Sequence, residues 1–202
     1  MAGDLTSGNH AHIKSACYAS ETQTMNPIQK LRHKLSIYVF DFIQSRSVNP
    51  FDKLASGTGV EVGVWRGTHA KALLSNPRII HLSLVDPYLP YNEPVKSALV
   101  NEAKLVSSRK LKMFNGRYEF VYQKSVDASS CFKDGSLDFI YIDGDHSEEG
   151  VFADLQAWWP KLRAGGIMGM DDYNPGYPGL LNAVKRFGQP VKDLGGVGLI
   201  AK

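Results

Sequence analysis

A chain of 202 residues, 43% hydrophobic and 21% charged, is long enough to bury one sizeable core without disulfide or metal staples. Its formal charge of +3 is spread along the chain, which gives no case for nucleic acid or a membrane surface as partner. Cys17 and Cys131 form no CxxC pair, no run nears the ~18 apolar residues of a membrane span, and no secretory pattern opens the chain, so a soluble, cytoplasmic protein is expected.

Residues 1–26 are polar and small without a period and read as an N-terminal tail or lid, ahead of a single domain over 27–202. From Pro27, apolar residues Ile28, Leu31, Leu35, Val39 and Ile43 recur at three-to-four spacing, which predicts an amphipathic helix over 27–45. GVEVGV (59–64) reads as a strand, and a helix opens just past Gly67. HLSLVD (81–86) is the next strand, followed by a helix near 94–107 and a third strand at 118–123. LDFIYID (137–143) is a near-continuous apolar run of the kind buried on both faces of a parallel sheet. A helix over 148–162, a Gly165-Gly166 stop, a strand over 166–170 and a helix over 178–187 follow. PVKDL and GVGLIAK then close the chain as a hairpin through Gly195-Gly196. This alternation predicts an α/β fold: a Rossmann-like, doubly wound, seven-stranded sheet, mostly parallel with an antiparallel C-terminal strand.

In such a sheet ligands bind beyond the carboxyl ends of the strands, where the strand order reverses. At the first of these ends Gly63 permits a tight turn and Gly67 a close approach at the opening of the next helix. Glu61 is an acid inside the strand, a costly placement unless it accepts hydrogen bonds or faces a cation. Asp86 follows about twenty residues on, where an acid reaches the hydroxyls of a bound ribose. Together these favour a nucleoside site over an ordinary strand-turn-helix. Neither GxGxxG nor a Walker GxxxxGK[ST] is present, which disfavours dinucleotides and P-loop chemistry.

A second cluster lies in YIDGDHSEEG and GIMGMDDY. Asp143 ends one apolar strand and Asp171-Asp172 end the next, so the three carboxylates are expected on one rim. Like charges there call for a cation or shared protons, and oxygen donors suit Mg²⁺ or another hard divalent ion. His146 is within reach of the same place and is a candidate general base, with Asp145 as the alternative base or as its orienter. Asp145, Ser147 and Glu148-Glu149 also read as the cap of the helix that follows, and Asp171-Asp172 as the cap of a turn without metal.

VEVGVWRG, LSLVDPY, LDFIYIDGDHSEEGVFADLQAWWPKLRAGG and GIMGMDDY together resemble the class I S-adenosylmethionine-dependent methyltransferases, from about Gly59 to Lys202. Within them the chain is similar to the metal-dependent small-molecule O-methyltransferases, in the branch that acts on macrolide and aminocoumarin sugars. The resemblance implies that Glu61, Gly63 and Gly67 line the methionine part of the cofactor, Asp86 holds the ribose and Ser125 lies beside the adenine. It implies Asp143, Asp171 and Asp172 as Mg²⁺ ligands, Asp143 also bordering the cofactor and the reacting atoms, and His146 near metal and substrate. The lysine that catechol-type relatives use as base has no counterpart in Gly144-Asp145-His146. The implied reaction is methyl transfer to a hydroxyl of a small molecule. Trp65, Tyr88, Tyr91, Tyr173, Tyr177 and the 1–26 segment are candidates to shape the acceptor pocket. Many members of the family associate, and homo-oligomerisation is an expectation of the same kind. The rival readings are a metal-independent methyltransferase, a metal-dependent hydrolase on the same acidic rim, and a binding or assembly protein without turnover.

Overall fold

The computed structural model describes residues 26–44, 49–90 and 94–202. The tail or lid expected over 1–26, apart from Asn26, and Tyr91 of the acceptor candidates lie outside the described residues.

The expected first helix is α1, Pro27–Gln44, its start closed by a reciprocal pair in which Asn26 Oδ1 accepts from the Gln29 amide and Gln29 Oε1 from that of Asn26. The described side chains of its apolar stripe do not enter the core: Ile28, Leu31, Leu35 and Val39 are 65%, 67%, 59% and 49% exposed. The helix is held instead through polar contacts, with Tyr38 hydrogen-bonded to Glu102 and the Arg66 guanidinium 4.4 Å from the Tyr38 ring centre. A one-turn 3-10 helix, Pro50–Lys53, capped by Asn49, was not expected; its Phe51 is fully buried.

The sheet begins with β1, Gly57–Val62, followed by α2, Thr68–Ser75, and β2, Ile79–Val85. Then come α3, Pro94–Leu111; β3, Tyr118–Val121; and α4, Ser125–Ser129, a short helix that the periodicity did not disclose. β4, Leu137–Ile142, leads into α5, Glu148–Trp158. The helix expected to 162 stops there because Pro160 has no amide to donate, and a 3-10 turn, Trp159–Lys161, feeds β5, Leu162–Met170. β5 runs straight through the expected Gly165-Gly166 stop, where a bulge absorbs the left-handed Gly165. α6, Pro178–Phe187, β6, Lys192–Asp193, and β7, Gly198–Ala201, complete the chain.

The strand order is β3-β2-β1-β4-β5-β7-β6. β7 alone runs against the direction of the other strands, pairing antiparallel with both β5 and β6, as expected of the closing hairpin. Alternation along the central strands sorts residues between two cores. Val60, Val62, Ile140 and Ile142 join Leu155, Trp158, Leu180 and Val184 on the α5–α6 side. Phe139 and Tyr141 join Phe51, Leu73, Leu74 and Leu82 on the α2 side. Glu61, one residue out of phase with Val60 and Val62, therefore faces α2, and its register partner on β4 is Tyr141.

Candidate functional site

The order reverses between β1 and β4, and backbone pairing continues past the strand ends there. Gly63 N–H donates to Val85 O (2.9 Å), Asp143 N–H to Val62 O (2.8 Å) and Asp171 N–H to Ile142 O (3.0 Å). Gly63, Asp143 and Asp171 are thereby lined up along one rim.

The glycine turn is shaped mainly by the protein itself. Gly63 has φ +85°, and a Cβ at this position would lie 1.8 Å from the carbonyl oxygen of Asp143. Gly67, at φ +67°, opens α2 and sits against Ser107 of α3. Asp86 closes the turn from the side: one carboxylate oxygen accepts from the amides of Val64 (3.0 Å) and Trp65 (2.9 Å), the other from that of Tyr88 (2.8 Å). It is 4% exposed, so its visible occupation is binding two loops together rather than lying open on the rim.

Behind the turn, the buried acid in β1 has found its cation. Glu61 Oε1 lies 3.1 Å from His69 Nδ1, and His69 Nε2 lies 2.9 Å from Asp52 Oδ1. Burial alone would lower the pKa of His69; its hydrogen bonds to Asp52 and Glu61, and their charges, overcome this and raise it to about 10. Burial pushes the Glu61 carboxyl up, and the His69 contact opposes that push. The His69 ring lies against Tyr141, with centroids 4.0 Å apart. The Tyr141 hydroxyl accepts from Asn49 Nδ2 (2.6 Å) and donates to Asp171 Oδ1 (2.7 Å). The Glu61–His69–Asp52 bridge and the Asn49–Tyr141–Asp171 chain thus meet where the His69 and Tyr141 rings touch.

Sequence reading missed His69, Asp52, Asn49 and Tyr141. The signal for His69 was available: a strand acid requires a partner, and the helix after Gly67 begins with Thr68-His69. Asp52 and Asn49 carried no signal, because a one-turn helix leaves no period.

On the rim, His146 Nε2 stands 3.3 Å from Asp172 Oδ2 and 3.8 Å from Asp143 Oδ1. Asp172 reaches back because its backbone is left-handed, φ +57°, a conformation aspartate tolerates better than most residues. Its carboxyl is held below the usual range by the hydrogen bond with His146, with help from that with Tyr177. The Tyr177 ring lies on the imidazole, centroids 4.8 Å apart, and is 38% exposed. The Asp143 carboxyl is pushed well above its usual range by burial and then by the charge of Asp171.

Asp145 is turned away from this group. Its oxygens accept from the Ser147 amide and hydroxyl, both at 2.9 Å, and Ser147 in turn caps α5 through the Gly150 amide. Ser125, at the start of α4, accepts from Trp158 Nε1 (2.8 Å) and is hydrogen-bonded to the buried Asp154, whose carboxyl burial raises to about 6. Among the described residues no group of three or more His, Cys, Asp or Glu side chains is placed to hold a metal ion. Asp143, Asp171 and Asp172 share a rim without converging: a tyrosine hydroxyl occupies Asp171, and an imidazole lies between the other two. No described helix is long and apolar enough to cross a membrane.

Residues 60–173 match the family model described as a methyltransferase domain. No curated protein matches the chain. Among solved structures, the Podospora anserina methyltransferase PaMTH1, determined with S-adenosylhomocysteine bound, aligns with a TM-score of 0.54 at 14% identity over 100% of this chain and 99% of that one. The O-methyltransferase NovP gives 0.52 at 19% identity over 75% and 74%. A protein from Corynebacterium glutamicum gives 0.52 at 16% identity over 95% and 97%. At these identities the likeness is one of fold.

Proposed function

Since the chain belongs to the methyltransferase-domain family, we propose that it transfers a methyl group from S-adenosylmethionine to a hydroxyl of a small molecule. One observation carries the choice of a hydroxyl: His146, backed by Asp172, stands on the rim beside the glycine turn with its ring only partly covered.

The glycine turn fits the cofactor. Glu61 leaves a buried oxygen, Oε2, without a hydrogen-bond partner in this structure. Glu61, Gly63 and Gly67 would hold its methionyl part, Asp86 its ribose side and the start of α4 at Ser125 its base. Bound there, the cofactor supplies an electrophilic methyl on a sulfonium. His146 accepts the proton of the acceptor hydroxyl, and Asp172 fixes the orientation of the ring and stabilises the imidazolium that results. Tyr177, tilted against His146 and partly exposed, offers a flat wall to an aromatic or sugar acceptor. Asp145 is assigned to capping rather than to proton transfer. Holding both reactants on one rigid rim contributes through orientation.

A second reading adds Mg²⁺ or another hard divalent cation. Burial and the neighbouring charge of Asp171, which together push the Asp143 carboxyl up, favour it, because a cation would offset both. The placement of the three aspartates does not make a metal centre, and the reaction above is derived without one. A cytoplasmic setting fits the exposed free thiol of Cys131.

Calorimetric titration with S-adenosylhomocysteine, followed by methyl transfer to phenols, catechols and sugars, tests the reading. Micromolar binding and a methylated oxygen are expected; absence of binding would overturn it. EDTA treatment separates the two versions: turnover that survives chelation belongs to the first, and turnover lost and restored by Mg²⁺ to the second.

A further inference from the structure

Glu61, His69 and Asp52 form a bridge whose chemistry is incomplete. Glu61 is 1% exposed; Oε1 meets His69, while Oε2 has no hydrogen-bond partner. A buried carboxylate oxygen left without a donor costs on the order of 1–3 kcal/mol, and more when charged. His69 has an acid on each ring nitrogen, and only the imidazolium donates to both. Two carboxylates and one imidazolium leave the group one negative charge, with its free acceptor on the residue two before Gly63. The fitting ligand group is a cation with N–H donors.

The anchor of this bridge lies outside the span matched by the family model. Asp52 belongs to the 3-10 turn ahead of β1, which is pinned at several points. Asn76 Nδ2 donates to the carbonyls of Asp52 (2.8 Å) and Ala55 (2.9 Å), Asn49 Oδ1 accepts from the Phe51 amide (2.9 Å), and Phe51 is fully buried. Tyr141 closes the other face of the imidazole. His69 therefore has little freedom to leave Glu61.

Resting on the S-adenosylmethionine reading, we propose that His69, backed by Asp52, is a positioning residue that holds the Glu61 carboxylate with Oε2 reserved for the α-ammonium of the cofactor's methionyl part. His69 does not touch the reacting atoms. Its work is to fix one oxygen of Glu61 and balance its charge, so that the other oxygen is the only acceptor left.

The test compares two ligands by calorimetry on the full chain: S-adenosylhomocysteine, and 5′-methylthioadenosine, which keeps the nucleoside and thioether but lacks the amino-acid end, ammonium and carboxylate together. His69→Ala and Asp52→Asn are each expected to weaken S-adenosylhomocysteine by about tenfold or more and to leave methylthioadenosine within about twofold. Glu61→Gln should show the same selectivity, and His69→Gln, which keeps a neutral donor to Glu61, should recover part of the loss. Equal weakening of both ligands would reduce His69 to a structural residue and overturn the inference. So would wild-type affinity for S-adenosylhomocysteine in His69→Ala. If His69→Ala does not fold, Asp52→Asn decides by the same two ligands. Wild-type protein that binds neither ligand removes the cofactor reading itself, an outcome distinct from either of those.

Discussion

The two halves of the rim are built to different standards. At the glycine turn, backbone and side chains are locked together: Asp86 takes three amides, His69 bridges two acids, and Gly63 rests on the Asp143 carbonyl. At the aspartate rim the groups are looser. His146 meets Asp172 at 3.3 Å and Asp143 at 3.8 Å, with side chains 26–34% exposed. The difference matches the division of labour proposed above. A cofactor site gains from being made before its ligand arrives, whereas a proton acceptor needs access for its substrate and freedom to settle on it.

The contrast is open to attack, beginning with its strongest element. Gly63→Ala would drive a Cβ into the Asp143 carbonyl at a positive φ, and a loss of about 4 kcal/mol in urea unfolding is expected. A loss under about 1 kcal/mol would show that the locked half is softer than its packing. His146→Ala should lower kcat by about 100-fold while S-adenosylhomocysteine affinity stays near wild type, the signature of a group that acts only on the acceptor side. A parallel fall in cofactor affinity would join the two halves that the structure keeps apart.

Asp154 of α5 lies outside both halves, hydrogen-bonded to Ser125 and 5% exposed, with its carboxyl raised to about 6 from 3.8. A carboxyl that is harder to ionise when folded favours the native state below the unfolded value. That advantage is lost as the pH rises from about 4 through about 6. Above this window the buried charge is a penalty, so Asp154→Asn should be more stable than wild type by roughly 2 kcal/mol at pH 8. The gap should close near pH 4, and thermal melts across the range measure it. The smallest effect belongs to Asp145→Ala. Losing its contacts to Ser147 should cost about 1 kcal/mol of stability, with a fall in kcat far below that of His146→Ala. Equal losses of kcat would move the base to Asp145.

The fold was legible because its central strands are apolar, and because turn glycines and helix periods separate them. Even the closing hairpin with its one antiparallel strand could be read from PVKDL, Gly195-Gly196 and GVGLIAK. Positions on the rim were legible for the same reason, since an acid that ends an apolar strand has few other places to be. Pairing was not. Periodicity marked a face on α1 but could not tell that Ile28, Leu31, Leu35 and Val39 would meet solvent. It located Glu61 without His69. It grouped Asp143, Asp171 and Asp172 without showing that Tyr141 would take one and His146 stand between the others. Such choices depend on distances of an ångström or two between elements far apart in the chain, and residue spacing does not encode them.

The contact between Gly63 and Asp143 joins main chain to main chain, with no side chain between them to resize. On the proposed reading it would act as a fixed gauge between the floor under the methyl donor and the ledge for the acceptor. Substitutions along the outer loops would then reshape what enters without resetting the distance between the two reactants.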